Sequence, residues 1–300
     1  LDDPARMASA FAGVSTGNIQ DNAIIVRGNA PRGIVWKLED IQIPNPTHFA
    51  DGNVSGGGFV TMFSSQLLTN SDFYTGAFPS EYGNGLAGVF DMKLRNGNNQ
   101  QREHAVQVGV MGIDVASEGP FMKGKQASYL FNYRYSTFAL IKPLIKGMEQ
   151  LPVYQDLSFK LNFPAGKKGT FSVWGIGGID KIHEPTTDDS TAWESSWDRV
   201  DFHWKAYTGA AGITQKISLS HTTQINTTFA TTAYDAYYLE DYMTDSLKLV
   251  DNCNIRIFSG KYALNTYVNH KFNKRLVNRT GITANDVFYD LELETQIDNA

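Results

Sequence analysis

The sequence predicts a mostly β protein in two parts. An α+β unit covers residues 1–98, and antiparallel strands of a transmembrane β-barrel follow over residues 99–300. Three observations carry this reading. Beyond residue 100, apolar and polar residues alternate at period two over runs on the order of ten residues, the length of a tilted membrane-crossing strand. Tyr and Phe crowd the ends of those runs, as aromatic girdles do, and the connections alternate between short and long. A soluble β-sandwich shows the same alternation, so strand pattern alone leaves that alternative open.

Composition narrows the classes. Apolar residues make up 42% of the 300 residues, too many for a disordered chain. The net charge of −5 argues against a basic nucleic-acid binder. The single cysteine, Cys253, excludes an internal disulfide framework and a cysteine-based zinc site. No apolar run reaches the ~18 residues of a membrane-spanning helix. Neither end reads as a natural boundary: Leu1–Pro4 is not a signal peptide, and the C-terminus stops inside a strand-like alternation, so a fragment of a longer chain is expected.

In the first part, Met7, Ala8 and Phe11 share a face, so Pro4–Phe11 is expected as a short helix. Ala23–Arg27, Gly33–Leu38 and Gly88–Arg95 read as short strands between turns rich in Gly, Pro and Asn. Phe63 and Leu67 are spaced i, i+4, which predicts a helix over Val60–Leu68. The polar stretch Asn96–Gln101 is a linker.

In the second part, strands are expected near 102–110, 113–119, 127–136, 156–163, 170–180, 200–217, 223–238, 254–272 and 277–293. Tyr129, Phe131, Tyr133, Tyr135, Leu157, Phe159 and Leu161 form one face, opposite Asn132, Arg134, Ser158, Lys160 and Asn162. In a barrel the first set faces lipid and the second the interior. Thr137–Gln155, Lys181–Asp198 and Leu239–Asn252 are the long connections; the one near Met111–Gly112 is short, against the alternation. Nine is an odd count, whereas bacterial single-chain barrels close with an even one, so the wall is expected to be incomplete.

Three segments resemble the plug of TonB-dependent outer-membrane transporters. Ile24–Gly28 is similar to the family's I-x-I-R-G strand, and Gly33–Pro44 stands in the place of V-L-I-D-G-V-P. Asp72–Met92 resembles the stretch that closes the plug, ending Y-G-x-x-x-x-G-V-I-x-I. Ser117–Phe121 resembles the Ser-Gly-Pro turn after the second barrel strand. The wording of Val26–Gly33 and Ile43–Phe49 is similar to Bacteroidetes members, which often carry a carboxypeptidase-regulatory-like domain ahead of the plug. Glu39-Asp40-Ile41 departs from the common Asp-Gly-Val, and neither a TonB box nor the earlier part of the plug is present.

The resemblance implies active import across the outer membrane, gated by a plug and energised by TonB through a segment ahead of this sequence. It implies outer-membrane lipid around the wall, an imported substrate, no catalytic residue, no cofactor and no nucleic acid; a surface lipoprotein is a further candidate partner. Two other classes compete: a surface protein that binds or assembles partners without import, and a secreted β-rich carbohydrate-binding domain. The loop Asn45, Pro46, Thr47, His48 and Phe49 is the candidate substrate-facing part of the plug. Arg27 is the candidate plug–wall contact, because arginine clamps a carboxylate bidentately.

Other motifs are weaker. Gly83–Gly88 fits G-x-G-x-x-G, but a strand rather than a helix follows, so a dinucleotide has no helix N-terminus to meet. Gly13–Gly17 fits G-x-S-x-G with a helix before and a strand after, the reverse of a nucleophile elbow. The histidines at 48, 104, 183, 203, 221 and 270 contain no HExxH, and Asp188-Asp189 and Glu240-Asp241 read as loop carboxylates.

Overall fold

The computed structural model describes residues 3–17, 22–50, 55–109, 112–141 and 152–295. Val110 and Met111 of the first expected strand and turn, and much of the Thr137–Gln155 connection, lie outside the described residues. Three sheets are present: a pair, a four-stranded sheet and a nine-stranded sheet.

Helix α1 (Pro4–Ala8) is capped by Asp3, whose carboxylate accepts from the Ala5 and Arg6 amides. It stops short of the expected Phe11: the Ser9 amide bonds back to Arg6 and the chain turns toward β1 (Val14–Thr16). β1 pairs antiparallel with β2 (Ile24–Val26).

The four-stranded sheet runs β4-β3-β6-β5, from β3 (Ile34–Leu38), β4 (Ile41–Ile43), β5 (Asp72–Tyr74) and β6 (Gly88–Met92). β3 and β6 pair in parallel and every residue of both is buried, as suits central strands covered on two faces. Trp36 stacks on Phe90 at 4.3 Å, and Phe90 on Phe73 at 4.2 Å. The two-residue turn between β3 and β4 holds Glu39 and Asp40 at φ +48° and +74°. Glycine and asparagine usually fill such positions, because a Cβ crowds the carbonyl there.

Val60–Leu68 is not a helix. Only a 3-10 turn, Ser65–Leu67, forms. Thr61 bridges to Thr47, and Met62, Phe63 and Leu67 are all about 1% exposed, so burial from several directions overrides the i, i+4 spacing.

The nine-stranded sheet is an antiparallel meander, each strand pairing with its sequence neighbours. Its strands are β7 (Glu103–Val108), β8 (Ile113–Pro120), β9 (Ser128–Tyr135), β10 (Val153–Pro164), β11 (Thr170–Glu184), β12 (Val200–Ser218), β13 (Thr223–Met243), β14 (Leu249–Lys271) and β15 (Val277–Thr295). The short helix α2 (Thr137–Ile141) follows β9. The expected loop Leu239–Asn252 is mostly strand. β13 and β14 stay paired to Met243 and Leu249 through a register shift at Glu240/Asp241, leaving a turn of five residues. Glu240-Asp241 is thus strand and not loop. Among the described residues β7 and β15 each pair on one side and not with each other, so no barrel is closed.

The polarity of this sheet is inverted relative to a water-soluble core. On β9 and β10, Ser128, Asn132, Asp156, Ser158, Lys160 and Asn162 are buried, while Phe131, Leu157 and Phe163 are exposed at 37–38%. The buried face lies against the N-terminal residues. Leu130, Trp174, Ile176, Ala210, Ala230 and Ala263 join Leu38, Met62 and Phe63 in one apolar cluster. Small residues on the inner face leave room for the packed sheet. A Cβ on Gly178 would lie 2.6 Å from the Met62 methyl and 3.0 Å from His48 Cε1. No helix among the described residues is long and apolar enough to cross a membrane, which says nothing of strands.

Candidate functional site

The chemistry-bearing residues converge where the N-terminal elements meet the inner face of the nine-stranded sheet. The loop after β4 carries His48 into that face, fully buried. Its Nδ1 lies 2.5 Å from Asp180 Oδ1 on β11 and its Nε2 2.8 Å from Asp156 Oδ2 on β10. The β10–β11 register sets Asp156 opposite Gly178, two residues from Asp180, so both carboxylates rise on one face beside a position with no side chain. Asp180 also accepts from the Phe49 amide at 3.2 Å. Arg134, opposite Asp156 on β9, donates to Asp156 through Nε at 2.8 Å and reaches the Thr61 carbonyl at 2.5 Å.

Burial by itself lowers the His48 pKa. The Asp180 and Asp156 carboxylates, charged and hydrogen-bonded to the ring, outweigh it and hold the pKa above the ordinary value. The imidazolium fits the site well: two ring donors meet two acceptors on opposite sides.

A second junction centres on the β3–β4 turn. Lys160 of β10 donates to Glu39 Oε1 at 2.8 Å and to the Leu94 carbonyl at 2.7 Å, while the Leu94 amide donates to the same Glu39 oxygen at 2.9 Å. Asp40 accepts from Lys93 Nζ at 2.5 Å, from Arg279 of β15 at 3.2 Å and from the Tyr267 hydroxyl at 3.2 Å. Burial raises the Asp40 pKa, but Lys93 and Arg279 overcome it and hold the carboxyl below its ordinary range. Arg279 also pairs with Glu81 at 2.7 Å and lies over the Tyr267 ring. A cavity of about 200 Å³ opens beside this cluster, lined by Lys37, Asp40, Glu81, Tyr82 and Thr283 among others. Burial pushes the Lys37 pKa down there, against the pull of Asp91 and Asp40.

A third junction is bidentate. Arg95 grips both oxygens of Glu118 on β8 at 2.6 and 2.7 Å.

Of the loop singled out in the sequence, Pro46, Thr47, His48 and Phe49 are buried and Asn45 is half-buried. His48 and Phe49 bond to the sheet, and Asn45 and Thr47 bond to the Gly57 carbonyl. Arg27 is exposed, at φ +51°, with its guanidinium against Gly13 and Gly76 and no ion pair among the described residues. Glu39, Asp40, His48, Glu81 and Arg95 make ionic contacts to the sheet instead. Of these, His48 stood in the candidate loop. For their partners on the sheet the signal was charge on an inward position: Arg134 and Lys160 fall there by alternation, as do Asp156 and Asp180.

The fold is similar to that of solved outer-membrane receptors and transporters. The chain is similar to BauA, the ferric preacinetobactin receptor from Acinetobacter baumannii, with TM-score 0.57 and 14% identity over 100% of this chain and 46% of that one. It is similar to the siderophore receptor PiuA from Acinetobacter baumannii (TM-score 0.60, 11% identity, 96% and 44%). It is also similar to the outer membrane transporter YddB from Escherichia coli (TM-score 0.51, 11% identity, 98% and 52%). The chain thus spans about half the length of these solved structures. No family model matches it, and no curated protein does.

Proposed function

We propose that this chain is part of a TonB-dependent importer of the outer membrane. On this reading residues 1–98 are most of the plug, and residues 99–300 are the first nine strands of the wall. The inverted polarity of β9 and β10 carries the proposal. A sheet that buries Asp156, Ser158, Lys160 and Asn162 while exposing Phe131, Leu157 and Phe163 is stable where its outer solvent is hydrocarbon. A secreted carbohydrate-binding sandwich would bury the aromatic set instead. The likeness to solved siderophore receptors supports the reading, as do the plug-like segments Ile24–Gly28, Gly33–Pro44 and Asp72–Met92.

The buried ion pairs then have a mechanical meaning. They hold the plug against the wall by contacts that water can replace, so a pull from TonB meets discrete polar latches. Residues Asn45–Phe49 serve as one latch through His48, and the Bacteroidetes-like wording makes a surface lipoprotein a partner to look for.

The test is genetic and uses the full-length gene. Its deletion should abolish uptake of one nutrient, and deletion of the host's TonB should abolish the same uptake. Persistence of that uptake without TonB would refute the proposal, as would a deletion strain with unchanged uptake of iron chelates, vitamins, glycans and peptides.

A further inference from the structure

The outer face of the sheet carries a second cluster, remote from the junctions above. His183 sits one residue before the end of β11, and Asp201 and His203 lie at the start of β12, at the base of the connection over residues 185–199. His183 and His203 are direct cross-strand partners, and their rings stack at 4.0 Å and 10°. Both Nε2 atoms turn to the same oxygen: Asp201 Oδ1 lies 3.1 Å from His183 and 2.8 Å from His203. The carboxylate is largely covered, at 14% exposure, whereas the imidazoles are 41% and 47% accessible.

We propose that His183, His203 and Asp201 form a binding site for a late first-row divalent transition ion. Two imidazoles and one carboxylate are the donor set that zinc, copper and nickel prefer over calcium or magnesium. Ligand atoms of a tetrahedral zinc ion stand about 3.3 Å apart, given metal–ligand bonds of about 2.0–2.1 Å. The Nε2–Oδ1 separations here already approach that value, and all three ligand atoms lie within 4.8 Å of one another. Each neutral imidazole ligates through the Nε2 lone pair in the tautomer that carries its proton on Nδ1, and the ion's fourth position is left to solvent or an incoming ligand.

Electrostatics around the cluster favour a cation. Asp241 is the cross-strand partner of Asp201, and Asp251 is the partner of Asp241, so a row of three carboxylates crosses three strands. Lys181 and Lys205 stand on the same face one pair further down, in the shallow groove that His183, His203, Asp241 and Asp251 also line. The site clips β11 to β12 beneath their long connection, and it does not depend on the import reading.

Full-length protein in detergent, stripped of metal, is titrated with Zn²⁺ and with Cu²⁺ near neutral pH. The expected result is one tight equivalent, with nitrogen hyperfine structure from two imidazoles in the Cu²⁺ electron paramagnetic resonance spectrum. A His183→Ala/His203→Ala variant should lose at least about ten-fold in affinity together with the nitrogen signal. Asp201→Asn should weaken binding and keep that signal, and His221→Ala should change neither. Unchanged affinity in the double variant overturns the proposal. If that variant does not fold, the wild-type spectrum decides: copper without paired nitrogens overturns it.

Discussion

Lys160 and Glu39 meet 2.8 Å apart although 121 residues separate them, with the two side chains 5% and 1% exposed. Glu39 holds a left-handed φ of +48° to make the contact. A glycine at position 39 would relieve strain of order 1 kcal/mol but would remove the carboxylate that receives both Lys160 and the Leu94 amide. The departure from the Asp-Gly pattern noted in the sequence is therefore where the N-terminal unit is ionically tied to the sheet.

Lys160→Met should leave Glu39 buried without its cation and lower stability by about 3–5 kcal/mol. Glu39→Gln/Lys160→Met should recover most of that loss, because neither charge then remains buried. Chemical denaturation of the full-length protein in detergent measures both. Equal loss in the single and double variants would show that the pair itself is unimportant.

The His48 latch should depend on pH. Its folded pKa lies above the ordinary value of about 6.5, since Asp180 and Asp156 outweigh burial. The stabilisation it contributes is therefore complete below about pH 6.5 and is lost as pH rises through the elevated folded pKa. Amide hydrogen exchange over residues 46–50 should accelerate with alkaline pH beyond the intrinsic trend. His48→Gln should remove the excess, and an excess that persists in that variant would assign the effect elsewhere.

Leu157 and Ser158 should report opposite surroundings. A spin label at Leu157→Cys, in a Cys253→Ser background, should collide with dissolved oxygen and be shielded from a water-soluble nickel chelate. A label at Ser158→Cys should be immobilised and protected from both. On the import reading, Leu157→Arg should cost up to about 2–4 kcal/mol. A label at 157 that is immobilised by protein would place the aromatic face in a core.

Gly178→Val should dislodge the loop after β4. The Met62 methyl, 2.6 Å from a Cβ at this position, can swing away, but the His48 ring at 3.0 Å is held from both sides. A loss of about 1–3 kcal/mol is expected, with faster exchange at residues 46–50. Gly83→Val, at a position outside the left-handed region where a Cβ meets nothing, is the control for backbone effects.

Period-two alternation made the nine strands legible, because each residue's face follows from its parity alone. Asn132, Arg134, Ser158, Lys160 and Asn162 turned inward together for that reason. The β13–β14 hairpin was read too short because Glu240, Asp241 and Asp251 look like loop residues; the cross-strand register that pairs them appears only in three dimensions. Val60–Leu68 misled in the opposite way, since local spacing carries no information about Thr47 pairing with Thr61. His48 was legible as a candidate, but its partners lie 108 and 132 residues away, and no local pattern encodes such a contact.

Strands β12 to β15 contain 19 to 23 residues, whereas about 9–11 residues suffice to cross a bilayer. On the import reading, the tight turns at 219–222 and 272–276 mark the periplasmic edge, so the surplus gathers at the opposite end. Roughly ten residues of each strand, at about 3.3 Å apiece, then rise some 30 Å clear of the hydrocarbon. The protein would present a rigid palisade to the surroundings rather than loose tethers. Antibodies, phage tails and proteases would meet a pleated fence with few cleavable segments.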